Sequence, residues 1–87
     1  MIEKQMVIKN KFGLHARPAA VLVQTASKFK SKIKIIKDSQ EVDGKSIMGL
    51  MTLAASAGST ITLVADGEDE AKALQALEQL IEGGFGE

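Results

Sequence analysis

The stretch Thr60-Ile61-Thr62-Leu63-Val64-Ala65 is the plainest strand in the chain, with Ile61, Leu63 and Ala65 set to face inward and the threonines outward. Asp66-Gly67 ends it. Downstream, Glu68, Asp69 and Glu70 load the first turn of a helix with charge that suits the positive end of its dipole. Ala73, Leu74, Leu77, Leu80 and Ile81 then give that helix a wide buried face before Gly83-Gly84 stops it. Upstream, Ser46 stands where an N-cap belongs and Gly58 supplies a stop or turn, which predicts a short helix between them. It carries two apolar stripes, Leu50/Leu53/Ala54 and Ile47/Met48/Met51. A short helix on one sheet buries a single stripe, so the methionine flank is expected at the surface, where methionine makes adaptable contacts.

Further back, Lys32 to Lys37 reads K-I-K-I-I-K, a period of two, and Asp38-Ser39 gives turn chemistry before Gln40-Glu41-Val42-Asp43. This predicts a hairpin whose lysines are solvated strand positions that discourage edge pairing. Residues 2 to 9 also alternate, with Ile2, Met6 and Ile8 on one face and Lys4 breaking the apolar row. Between these strands, Ala19, Leu22, Ala26 and Phe29 mark the buried stripe of a helix from about residue 16 to Ser27 or Lys28. The order is β-α-β-β-α-β-α. Its economical architecture is an α+β, two-layer open-faced sandwich: a four-stranded antiparallel sheet with three helices on one face, in a single domain over residues 1–87.

The stretch from Phe12 to Ala20 holds the only histidine, an arginine and the only proline. Gly13 permits a positive-φ turn, and Pro18 suits a helix's first turn. His15 is thereby set at or just before the N-cap of the first helix, where unpaired N–H groups and the dipole favour an anion. Neutral imidazole is a nucleophile near pH 7 and can accept a phosphoryl group, whose oxygens the helix amides and Arg17 would stabilise. Spacing alone leaves a second reading open, in which His15 is a polar loop residue and Arg17 its solvated neighbour.

Composition narrows the alternatives. The 11 basic and 11 acidic residues cancel, and three Phe without Tyr or Trp make a poor base-stacking surface, so nucleic acid is not an expected partner. Without cysteine, and with one histidine, neither thiol chemistry nor a zinc-thiolate or multi-histidine metal site can be built, and no metal or cofactor is expected. No run suggests a signal peptide or membrane insertion, and the expected location is the cytoplasm. The tail from Gly83 to Glu87 suggests no role.

Two segments, Gly13-Leu14-His15-Ala16-Arg17-Pro18-Ala19 and Lys45-Ser46-Ile47-Met48-Gly49-Leu50, together resemble the HPr family, the histidine phosphocarriers of the bacterial sugar phosphotransferase system. The resemblance spans the chain in length and element order. It implies that His15 takes a phosphoryl group on Nδ1 from phospho-enzyme I and passes it to enzyme IIA domains, with Arg17 steadying the group. It implies a docking face of Ala16, Ala20, Gln24, Ile47, Met48 and Met51, and a monomeric carrier rather than a self-sufficient enzyme. It also implies regulation at Ser46 by an ATP-dependent HPr kinase/phosphorylase, with the seryl form a corepressor for a catabolite control protein. Phe12 departs from the small polar residue of many relatives, leaving backbone donors to hold the phosphoryl group. His15 argues against a purely regulatory paralogue that lacks the histidine, and Ser46-Ile47-Met48 favours the sugar branch over the nitrogen branch. Two further classes stay open: an interaction module acting through Ser46 and the methionine flank, and a small-ligand regulatory domain.

Overall fold

The computed structural model describes residues 1–87. Its elements are β1 (Ile2–Val7), α1 (Ala16–Ala26), β2 (Lys32–Lys37), β3 (Gln40–Asp43), α2 (Ile47–Thr52), β4 (Thr60–Asp66) and α3 (Glu70–Glu82), followed by a 3-10 turn at Gly84–Gly86. The strands form one antiparallel sheet in the order β1-β4-β2-β3. The expected α+β architecture and element order are therefore observed.

Period two sets the inward row. Met6 pairs with Ile61, Ile35 with Leu63 and Ile33 with Ala65, and all six side chains are buried. The helices cover this row through Leu22, Leu50, Leu77 and Ile81, each fully buried and each worth about 1.5–3 kcal/mol by removal from water. Ala19, Ala26 and Ala73 are also fully enclosed, and their small side chains let α1 and α3 approach the sheet closely. Lys4, out of pattern on β1, reaches Glu78 on α3 at 2.9 Å, and Lys9 reaches Glu82 at 2.6 Å. One hairpin lysine is not merely solvated, because Lys37 Nζ donates to the Leu53 carbonyl at 3.3 Å.

Two local expectations are corrected. Helix α2 stops at Thr52, well before Gly58, because Ala54 takes a left-handed φ of 51°. Ala54 is consequently exposed rather than part of the buried stripe, and Ala55 turns inward instead. The acidic run before α3 does more than complement a dipole. Asp69 makes no cap bond within its own helix, and its carboxylate takes the Lys30 and Ser31 N–H groups at 2.8 and 2.9 Å and the Ser31 hydroxyl. Glu70 accepts from Gly67 N–H at 3.1 Å. These carboxylates tie the start of α3 to neighbouring loops.

Candidate functional site

Between β1 and α1 the chain makes a tight turn whose centre is Gly13, at φ 67°. A Cβ there would lie 2.3 Å from the Ala55 carbonyl oxygen, so both the conformation and the space require glycine. Leu14 N–H donates to that same carbonyl at 2.8 Å and its side chain is buried. The turn is thus pinned on both sides of Gly13, and His15 follows as the N-cap of α1 in extended conformation.

The first helical bond runs from Ala19 N–H to the His15 carbonyl at 3.0 Å. Pro18 has no N–H to offer, and the N–H groups of Ala16 and Arg17 find no partner within the protein. Two unpaired amides therefore stand at the mouth of α1 immediately after the imidazole, where the dipole favours negative charge. Arg17 is exposed and its guanidinium is engaged by no ion pair. It lines one depression with His15, Lys11, Val21, Phe85 and Glu87.

The His15 side chain is 40 % exposed. Its Nε2 lies 3.2 and 3.0 Å from the two carboxylate oxygens of Glu87. Glu87 Oε1 also accepts from Asn10 Nδ2 at 2.9 Å, and Asn10 Nδ2 donates to the Gly13 carbonyl at 2.6 Å. Asn10's hydrogen bond, reinforced by His15, holds the Glu87 carboxyl below the usual glutamate range against the opposing cost of burial. An ionised carboxylate only accepts, so this contact favours the neutral tautomer with its proton on Nε2 and the Nδ1 lone pair free. Phe12, 72 % exposed, stands edge-on to the imidazole, with ring centroids 6.2 Å apart and planes at 86°.

On its other side His15 lines a shallow depression of about 270 Å³ with Phe12, Leu14, Met51, Ala54, Ala55 and Ser56. The expected methionine flank of α2 thereby meets the histidine site. Ile47, Met48 and Met51 are exposed, as are Ala16 and Gln24 on α1, with Ala20 half-buried between them. Since α1 packs on α2, these six residues sit on neighbouring helices. Ser46 does not line either depression at His15. It is the N-cap of α2, and its Oγ accepts from Gly49 N–H at 3.1 Å.

Sequence reasoning missed Asn10 and Glu87. The one signal for the tail was Phe85, an apolar residue among glycines, which is buried in the core. No group of three or more carboxylate or imidazole side chains converges on a metal position, and no helix is long and apolar enough to cross a membrane.

The family model described as the phosphotransferase system HPr component phosphorylation site matches residues 2–83. The chain belongs to the HPr family. The resemblance carried by the segments at Gly13–Ala19 and Lys45–Leu50 is borne out across the chain. The HPr-like protein Crh of Halalkalibacterium halodurans is 56% identical over 82 residues, covering 94% of this chain and 98% of the relative. The phosphocarrier protein HPr of Neisseria meningitidis serogroup A is 53% identical over 87 residues, covering 100% of this chain and 98% of its own. Among solved structures, the crystal structure of HPr-C-His from Thermoanaerobacter tengcongensis superposes with a TM-score of 0.97 at 56% identity, covering 100% of this chain and 98% of that one. Dimeric forms also occur among the solved HPr and Crh structures that the chain resembles. The HPr assignment accounts for a half-exposed imidazole, open helix amides and an apolar surround on one small scaffold.

Proposed function

We propose that this HPr-family chain is a stoichiometric phosphoryl carrier in the cytoplasm, loaded on His15 Nδ1 by phospho-enzyme I and unloaded by enzyme IIA domains during sugar uptake. The observation that carries the reading is the half-exposed imidazole whose Nε2 is taken by Glu87, so that Nδ1 is the nitrogen with a free lone pair. The lone pair attacks phosphorus as the bond to the donor atom breaks. The unpaired N–H groups of Ala16 and Arg17 and the Arg17 guanidinium are the charge-assisted donors for the new phosphoryl oxygens. The one carboxylate beside the ring, that of Glu87, faces Nε2 and is shared with Asn10, so it serves the imidazole rather than a small substrate, which supports a carrier rather than an enzyme. Phe12 offers no hydroxyl, so those backbone donors and Arg17 do the holding.

Docking of both partners is assigned to Ala16, Ala20 and Gln24 of α1 with Ile47, Met48 and Met51 of α2. Met48 is 80% exposed and the patch adjoins His15 through Met51, which supports an apolar contact around the transferring group. Incubation with phosphoenolpyruvate, magnesium and enzyme I is expected to give an acid-labile phosphate that His15→Ala lacks. An unlabelled wild-type chain overturns the proposal.

A second function at Ser46 is supported by its cap geometry and by the likeness to an HPr-like protein named Crh. Phosphorylation by an ATP-dependent HPr kinase/phosphorylase would put about two negative charges beside the exposed Ile47 and Met48. Loading by enzyme I then weakens, and the seryl form serves as a corepressor for a catabolite control protein. If Ser46 takes phosphate while His15 stays inert, the chain is a regulatory module alone. Sedimentation is expected to find the carrier monomeric.

A further inference from the structure

We propose that Asn10 and Glu87 form a hydrogen-bonded relay that fixes the proton and the rotation of the His15 ring, and that both are positioning residues for transfer at Nδ1. The proposal rests on the reading of His15 as the phosphoryl acceptor. It assigns a role to the glycine-rich tail, for which the sequence suggested none.

The tail is built to return. Gly84, Phe85 and Gly86 take φ values of 64°, 60° and 78°, three left-handed residues in succession. Phe85 pays that strain at a non-glycine position, yet its side chain is buried in the core between the two glycines. The curl is anchored by that ring and brings the Glu87 side chain back to a residue 77 positions away in sequence. An unstructured tail would need neither the strain nor the anchor.

At the receiving end, Asn10 is one of only two buried polar residues, at 5% exposure. Both partners of its NH2 group, the Gly13 carbonyl and Glu87 Oε1, can only accept, which sets the rotation of the amide. Its Oδ1 is buried with no partner. The same Nδ2 group donates to both the turn carbonyl and the Glu87 carboxylate, joining the two. The amide is placed for the carboxylate as well as for the turn. Glu87 in turn offers both oxygens to Nε2, at 3.2 and 3.0 Å.

The chemical consequence follows from charge. When the Nδ1 lone pair forms the N–P bond, the bond from phosphorus to the donor's leaving atom breaks and its electron pair stays on that atom. No proton moves: Nε2 keeps its hydrogen. Positive charge spreads over the ring and is met by the Glu87 carboxylate on the far nitrogen, the arrangement by which a carboxylate steadies an imidazolium. When the phosphoryl leaves, the electron pair of the N–P bond returns to Nδ1 and the ring is ready again in the same tautomer.

The test uses the full chain with 15N-labelled histidine. Two-bond 1H–15N correlation spectra at alkaline pH report which nitrogen of the neutral ring carries the proton, and enzyme I assays report transfer. The wild type is expected to show the Nε2–H form alone. Glu87→Ala, at the rim of the fold, is expected to gain a measurable Nδ1–H fraction and to lose about tenfold in kcat/KM for phosphoryl uptake, the scale of one charge-assisted hydrogen bond. Asn10→Ala is expected to move the spectrum in the same direction, with Glu87→Ala covering the case in which this buried substitution unfolds the turn. A wild type protonated on Nδ1, or a Glu87→Ala chain with unchanged tautomer and unchanged uptake, overturns the relay. A wild type with the expected tautomer that takes up no phosphoryl overturns the carrier reading and the transfer role with it.

Discussion

Asp69 and Ser31, 38 positions apart in sequence, are joined twice: the Asp69 carboxylate accepts from both the backbone N–H and the hydroxyl of Ser31. With the Lys30 N–H added, the Ser31 hydroxyl and that amide hold the Asp69 carboxyl down from an ordinary value of 3.8 to about 2. The clamp fastens the loop after α1 to the start of α3, adding to the direct packing of these two helices on each other. A carboxylate whose pKa is depressed in the fold adds stability above its unfolded value, and that contribution fades as pH falls toward 2. Thermal melts across this range are expected to show Asp69→Asn less stable than wild type at neutral pH, with the gap closing on acidification. A gap that stays constant with pH contradicts the clamp.

Gly13 carries the turn that presents His15. Alanine at that position must adopt a left-handed φ, which costs about 1–2 kcal/mol, and must also push back the Ala55 carbonyl. Denaturant unfolding of Gly13→Ala is expected to show a loss beyond that range, together with impaired phosphoryl uptake. Retention of full stability would mean that the turn relaxes more readily than its packing suggests.

Met48 presents a large apolar side chain to solvent with no role in the core. Met48→Asp is expected to change folding stability by no more than about 0.5 kcal/mol, as for an ordinary surface site. Its affinity for enzyme I is expected to fall about tenfold or more, as for a docking anchor. Calorimetric titration checks the second half, and an unchanged affinity removes Met48 from the docking face.

Ser46 caps α2 through Gly49 N–H, so Ser46→Ala is expected to cost about 1 kcal/mol in denaturant unfolding. Ser46→Asp retains an acceptor at the cap while adding charge beside Ile47 and Met48. It is expected to fold nearly as stably as wild type and to be loaded more slowly by enzyme I. Equal loading of the two chains contradicts the regulatory reading of Ser46.

Much of this design is readable in one dimension. The alternations at Lys32–Lys37 and Thr60–Ala65 name their strands, and the spacing of Ala73, Leu74, Leu77 and Ile81 names the last helix, because burial of one face imposes those periods. The histidine loop is legible for a similar reason, since Gly13 and Pro18 punctuate the backbone around it. What escapes the sequence is non-local or unsignalled. Ala54 ends α2 in a conformation that alanine does not advertise. Asn10 and Glu87 meet only after Phe85 has found the core, and neither residue type announces that meeting. The approach of Met51 to His15 likewise depends on how α1 packs on α2.

The central claim is that His15 both receives and surrenders a phosphoryl group. Its most direct test is a chase: the chain is loaded with radiolabelled phosphoenolpyruvate and enzyme I, separated from enzyme I, and mixed with an enzyme IIA domain. The account predicts that an acid-labile label on His15 moves to the domain and leaves the chain able to be reloaded. A label that stays on the chain, or that survives acid as a serine ester, contradicts it.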